Sequence, residues 1–376
     1  MVYGTIKMST LIKNSIVFLV SSAQFSILVF YFFDKTWSVE SFRQFSCTAA
    51  CSSQSSTYRL KTFRSTSSSQ QEQQQQQHSL YGIGMDQNAM MEQDQLIAVD
   101  ENDVIVPNSE LPNLLPKSLS AEQRFLSKKL AHTFNKSQPR GIAHRAFSVF
   151  LFNDRNELLL TKRASTKITF PNVWTNSCCS HPLYNQLPNE VDNAATEYPS
   201  YPGIRHAAIR KLRHELGITS IPHDHFVFLK KFHYWAADTV TYGTTNPRYG
   251  EHEIDYVLFT KVSEHNTHQN KPFLDPNPEE VSDIKFVTIN DLILMFLDKD
   301  LHFSPWFKGI MEHGGFNWWE NLDEIIDQHR SGGASNYASN VVEYFEPPTE
   351  HFSVFNLPEH DKLTGVLSSK SKNIYE

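Results

Sequence analysis

Arg210-Lys211-Leu212-Arg213-His214-Glu215-Leu216-Gly217-Ile218 closes a helix. The apolar residues Ile204, Ala208, Leu212 and Leu216 recur at helical spacing, and Gly217 supplies the stop. Working outward toward the N-terminus, Phe147, Val149 and Leu151 alternate with Ser148, Phe150 and Phe152, which is the period of a strand. Asn153-Asp154-Arg155-Asn156 then turns the chain into Glu157-Leu158-Leu159-Leu160-Thr161, so a hairpin is expected. On the other side of the helix, strands are expected over residues 226–236 and 254–262, and helices over 290–298 and 318–329. Between hairpin and helix, residues 171–201 are rich in Pro, Asn and Ser and read as a long loop that carries function rather than core. From Gln95 on, these patterns are those of a folded α/β domain without internal repeats, and beyond Ser331 the chain reads as a tail.

The chemistry-bearing residues cluster in two places. Thr175-Asn176-Ser177-Cys178-Cys179-Ser180-His181-Pro182 sets a thiol two residues before an imidazole. Glu251-His252-Glu253 leads into Ile254-Asp255-Tyr256-Val257-Leu258-Phe259; if that run is extended, Glu251 and Glu253 share one face and His252 takes the other. Two carboxylates, a histidine and a cysteine suggest a metal site beside an acid/base pair. Each residue also has an ordinary reading: a cysteine is most often a small buried hydrophobe, and with 17 histidines in the chain a chance set of three is easy.

Composition narrows the class. With 376 residues, 40% of them apolar, the chain can bury a sizeable core. A net charge of −7 argues against a nucleic-acid partner, which requires a basic face, but allows an anionic small ligand held by a few local cations. The four cysteines, Cys47, Cys51, Cys178 and Cys179, include an adjacent pair poorly suited to bridging, so a reducing compartment fits better than a disulfide framework.

Four long motifs in order, His144-Arg145-Ala146-Phe147-Ser148-Val149-Phe150-Leu151-Phe152-Asn153, the thiol segment, Tyr249-Gly250-Glu251-His252-Glu253-Ile254-Asp255-Tyr256 and Ser304-Pro305-Trp306-Phe307, resemble those of type I isopentenyl-diphosphate delta-isomerases of the Nudix superfamily. Leu96-Ile97-Ala98-Val99-Asp100-Glu101-Asn102-Asp103 adds a further stretch at the start of a likeness running from about Gln95 to about Asn321. The resemblance implies a single catalytic domain, residues 85–330, with a Nudix-type mixed sheet sandwiched between helices. It implies isopentenyl and dimethylallyl diphosphate as substrates, Cys179 and Glu253 as the proton-transfer groups, Tyr234 supporting the glutamate, and Trp306 offering an aromatic face to a tertiary cation. It places Lys128, Arg163, Lys167 and Ser180 on the diphosphate. It further implies His132, His144, His181, Glu251 and Glu253 as ligands of Mn²⁺, Zn²⁺ or Mg²⁺, with Glu215 binding a second Mg²⁺ that arrives with the substrate.

The quoted helix departs from the box of the pyrophosphate-hydrolysing members. Arg210, Glu215 and Gly217 match it, whereas Lys211 and His214 stand where glutamates are expected and Pro202 replaces another. That weakens the runner-up reading, a Nudix-type diphosphate hydrolase. A structural zinc module, the reading from outside enzymes, would show paired Cys-x-x-Cys knuckles, and the sequence has none.

Residues 1–84 read differently from the rest. Ser15 to Phe33 is uncharged and apolar enough to cross or contact a membrane as a helix, or to act as a long signal segment; alternatively, translation starts at Met85. Residues 47–69, rich in Ser, Thr and Arg, suit an organellar transit peptide, and the glutamine-rich tract 70–77 reads as disorder. A monomer in the cytoplasm is expected, with a mitochondrial address or membrane anchorage as the alternative for the full chain.

Overall fold

A computed structural model of the chain describes residues 18–20, 27–29, 81–82, 85–107, 125–136, 138–263 and 273–346. By internal packing the chain falls into two units, Met1–Arg64 and Ser65–Glu376. In the first, β1 (Phe18–Val20) and β2 (Ile27–Val29) pair antiparallel within the apolar stretch expected as a membrane helix; its other residues lie outside those described. Among the described residues, no helix is long and apolar enough to cross a membrane. The transit-peptide segment and the glutamine-rich tract also lie outside the described residues.

The second unit opens with α1 (Gln87–Gln93), β3 (Gln95–Ile97), β4 (Phe125–Ser127) and α2 (Lys128–His132). Its large sheet begins with β5 (His144–Phe152) and β6 (Leu158–Arg163), the expected hairpin. The hairpin pairs only at Phe152 opposite Leu158 and then splays, because β7 (Trp174–Thr175) and β8 (Cys178–Ser180) enter the gap and pair with β6 and β5 respectively. The expected loop over 171–201 therefore carries two short strands, and Cys179 sits on a ladder, opposite Ser148.

Next come α3 (Pro202–Leu216), β9 (Val227–Ala237) and β10 (Gly250–Lys261). Helix α3 ends as the sequence predicts. Gly217 adopts φ 69°, and its N–H donates to Arg213 O at 3.1 Å, closing a left-handed glycine cap. At its start the carboxylate of Asp192 accepts from Gly203 N and Ile204 N at 2.7 and 2.8 Å, where the exposed amides and the helix dipole favour an anion. Strand β10 begins at Gly250 rather than Ile254, so the two glutamates lie within it.

The chain continues through β11 (Val281–Val287), which the sequence reading missed, α4 (Ile289–Leu297), α5 (Pro305–Ile310), α6 (Phe316–Glu320), α7 (Leu322–Arg330) and β12 (Val342–Tyr344). The expected helix over 318–329 is thus two helices that meet at Asn321. The sheet order is β11-β6-β5-β10-β9-β12. Strand β10 runs parallel to β5 and antiparallel to β9, which makes the sheet mixed.

Both faces are covered, so β5 is buried along its whole length. Phe147, Val149 and Leu151 pack with Ala208 and Leu212 of α3 on one side. Phe150 and Phe152 pack with Trp306, Phe307, Trp319 and Ile325 of the C-terminal helices on the other. The expected tail contributes β12, which pairs parallel to β9, and the next residue, Phe345, stacks on Tyr234 at 5.3 Å between ring centroids. The same ring lies 2.3 Å from where a Cβ on Gly309 would stand, so only glycine lets α5 approach this closely.

A buried charge hub ties the sheet to the preceding segment. Asp103 lies 2.6 Å from Arg145 Nε and 3.2 Å from Lys231 Nζ, and it accepts a hydrogen bond from Tyr256 Oη. Asp103→Ala strands two buried cations and is expected to cost roughly 3–5 kcal/mol, read as a lowered urea midpoint with unchanged slope. An unchanged midpoint would show that the hub contributes nothing to stability.

Candidate active site

The register of β10 builds the site. Its parallel pairing sets Glu253 opposite His144 on β5, and its antiparallel pairing sets Glu253 opposite Tyr234 on β9. The period of two puts Glu251 and Glu253 on one face, as the sequence predicts, and His252 on the other, where its Nε2 lies 3.1 Å from that of His233. His132 ends α2, and His181 follows β8. One ligand atom from each of His132, His144, His181, Glu251 and Glu253 lies within 4.8 Å of all the others, and all five residues are buried.

This set fits a divalent cation. His132 Nδ1 donates to Lys128 O at 2.8 Å and His144 Nδ1 to Ile142 O at 2.7 Å, so in the neutral rings both Nε2 lone pairs turn inward. Burial, with His132 adding repulsion, pushes His144 down to about 3, and burial likewise holds His181 well below the usual imidazole range. His132 Nε2 and Glu251 Oε2 approach within 2.6 Å, yet both atoms and His144 Nε2 lack any hydrogen-bond partner. The contact reads as an ion pair only if His132 is protonated; in the neutral ring the tautomer makes it two facing lone pairs, which a shared cation would satisfy.

Glu253 is the most constrained carboxylate. Its Oε1 lies 2.9 Å from His181 Nε2, and its Oε2 accepts from Tyr234 Oη. Burial, then the neighbouring Glu251 and Asp255, raise it well above the carboxylate range.

On β8, Cys179 holds its thiol between three partners. Sγ donates to Asn176 Oδ1 at 2.8 Å, receives Trp306 Nε1–H at 3.0 Å, and stands 3.4 Å from Thr175 Oγ1. Burial dominates and pushes the thiol up to about 12, so it stays protonated at neutral pH. Trp306 therefore touches the sulfur through its N–H, while its ring packs edge-on against Phe170 and lies 5.6 Å from Arg163 Cζ. Adjacent Cys178 points into the apolar layer under α3.

Cys179, Glu253, Trp306, Ser180, His181, Glu251 and Glu215 line one cleft with the cations Lys128, Arg163 and Lys167. Arg163 is fixed by donating to the carbonyls of Phe170 and Thr169 at 2.9 and 2.7 Å. Every residue singled out from the sequence thus lies in the cleft, in the ligand cluster behind it or, for Tyr234, against Glu253.

Two neighbours escaped the sequence reading, Thr169 and Lys211. Lys211 stands at a glutamate position of the helix box, and its i, i+4 spacing from Glu215 places both on one helix face; its Nζ lies 3.0 Å from that carboxylate.

The NUDIX domain profile matches residues 142–307. The isopentenyl-diphosphate delta-isomerase of Gibberella zeae is 45% identical over 205 residues, 54% of this chain and 73% of that protein. That of Schizosaccharomyces pombe is 42% identical over 234 residues, 62% of this chain and 89% of its own length. Isopentenyl-diphosphate Delta-isomerase II of Camptotheca acuminata is 35% identical over 283 residues, covering 73% and 79% of the two chains. With a NUDIX domain at its centre and close likeness across most of each relative, the chain belongs to the isopentenyl-diphosphate delta-isomerase family.

Proposed function

We propose that the chain interconverts isopentenyl and dimethylallyl diphosphate, with Cys179 and Glu253 as the two proton-transfer groups. The observation that carries this reading is a buried thiol and a buried carboxyl lining one cleft with three cations. An unactivated double bond shifts when its terminal carbon gains a proton and the carbon next to the other alkene carbon loses one, which calls for two acid/base groups. The reaction runs both ways, so each group donates in one direction and accepts in the other.

Trp306 and Asn176 fix the sulfur, and Tyr234 fixes the carboxyl, so both groups meet the substrate preoriented. Carbocation character between the two proton transfers is favoured by the aromatic face of Trp306. Lys128, Arg163 and Lys167 hold the diphosphate, with Ser180 as a polar contact.

His132, His144, His181, Glu251 and Glu253 would hold a divalent ion, and Glu215 would hold a Mg²⁺ accompanying the diphosphate. Such an ion, when bound, supplies positive charge that organises the buried carboxylates and shifts their proton affinity. The hydrolase alternative is disfavoured by Lys211 and His214, which remove acids from the helix that would gather hydrolytic Mg²⁺. The folded unit is read as beginning near Met85. Tyr81, just upstream, packs 4.3 Å from Arg210 Cζ and donates to Asp94 at 2.9 Å, so an active shortened chain should retain it.

Cys179→Ala and Glu253→Gln are each expected to lower turnover by roughly a thousandfold or more with the fold intact, while Cys178→Ala stays near wild type. Proton NMR of double-bond migration measures it; an active Cys179→Ala protein would remove that residue from the mechanism. Dialysis against a strong chelator should stop turnover and a divalent ion should restore it, and His144→Ala should weaken metal retention by about ten- to a hundredfold in elemental analysis. Full activity in a metal-free preparation would overturn the metal assignment.

A further inference from the structure

Glu280, the residue before β11, is buried and does not line the cleft, yet its carboxylate sits directly behind two of the cleft's cations. One oxygen accepts from Lys167 Nζ; the other lies 3.8 Å from Lys211 Nζ and 3.5 Å from His214 Nδ1. Lys211 in turn reaches Glu215 at 3.0 Å, so the chain of contacts runs Lys167, Glu280, Lys211, Glu215. The backbone around Glu280 is locked. Its N–H donates to Asn277 O, its carbonyl accepts from Ala164 N at 3.0 Å, and Gln87 Nε2 donates to its side chain at 3.2 Å.

We propose that Glu280 is the positioning residue of the cationic wall, presetting Lys167 and Lys211 as a fixed pair of ammonium groups for the substrate diphosphate. The inference rests on the reading of the cleft as a diphosphate site and names what keeps that site charged. Lys167 and Lys211 are both buried, and Lys128 and Arg163 line the same cleft, so like charges crowd a poorly solvated space. Without an anion behind them, such groups relieve the repulsion by losing a proton or turning away.

The groups facing Lys167 bear this out. Burial pulls its ammonium down to about 8, with Arg163 on β6, Lys211 on α3 and Lys128 on α2 pushing the same way and the Glu280 carboxylate opposing them. The imidazole of His214 accepts from Lys211 at 3.3 Å through Nδ1. Removing the Glu280 carboxylate lowers the Lys167 value further. The ammonium is then present at low pH and lost as pH rises through neutrality, whereas in the native protein it persists to about 8.

The test is steady-state kinetics of the full-length Glu280→Gln protein with isopentenyl diphosphate, alongside competitive inhibition by inorganic pyrophosphate. Both are measured as ratios to wild type, so that titration of the phosphate cancels. KM and the inhibition constant are expected to rise about tenfold or more at about pH 8 and by less than about threefold at about pH 6, with kcat within about threefold at both. A merely structural ion pair would give a change independent of pH; that result, or an unchanged KM at both pH values, overturns the proposal.

Should Glu280→Gln fail to fold, Glu280→Asp keeps the charge one methylene short. It is expected to raise KM while retaining the wild-type pH profile, and a profile that collapses above neutrality despite the retained charge would overturn the proposal. Lys128→Gln separates the two levels of inference. If it raises KM while Glu280→Gln acts equally at both pH values, the cleft reading stands and the role of Glu280 falls. If neither variant moves KM or pyrophosphate inhibition, the cleft does not bind the diphosphate and both fall.

Discussion

The pairing of β10 between β5 and β9 is the constraint on which the site depends. One register sets Glu253 beside His144 on the parallel side and beside Tyr234 on the antiparallel side. A slip of one residue would send both glutamates to the opposite face and bring His252 to the ligand cluster. The register is pinned because both faces of the sheet are buried and apolar residues flank the polar row: Ile254, Tyr256 and Leu258 go under α3, and Val257 and Phe259 under the C-terminal helices. Parallel strands covered on both sides have no solvated face on which a slip would be tolerated.

Burial then sets the chemistry. The same exclusion of water that keeps Cys179 a thiol and His144 and His181 neutral makes each unpartnered polar atom costly. The protein meets that cost in two ways. At Asp103 and at Glu280 it matches buried cations with a buried carboxylate. At the histidine and glutamate cluster, His132 Nε2, His144 Nε2 and Glu251 Oε2 have no hydrogen-bond partner, and a divalent cation could satisfy all three.

Much of this was legible in the sequence because it is local. The alternation through residues 147–152, the apolar spacing of α3 and its Gly217 stop, and the shared face of Glu251 and Glu253 each rest on a short-range period that burial reinforces. The strand β11 was not legible, since Ser282, Asp283 and Lys285 face outward on an edge and leave little apolar pattern. The splaying of the β5–β6 hairpin was hidden for another reason: only the insertion of β7 and β8, a tertiary event, reveals it. The family resemblance placed residues on the site but not their partners. Trp306 on the sulfur, Glu280 behind Lys167 and Lys211 beside Glu215 are set by distant segments meeting or by a helix face that was read for a different purpose.

The ring of Phe345 has a consequence for how the protein is made. It backs Tyr234 on one side and fills the notch at Gly309 on the other, so it leans on the partner of Glu253 and on the helix that carries Trp306, the partner of Cys179. A ribosome-bound chain that has passed Trp306 but has not yet released residue 345 already contains every cleft residue, yet lacks the ring that packs against both Tyr234 and Gly309. The ring that backs Tyr234 is thus synthesised after every residue that lines the cleft, and a chain cut before it carries those residues without that support.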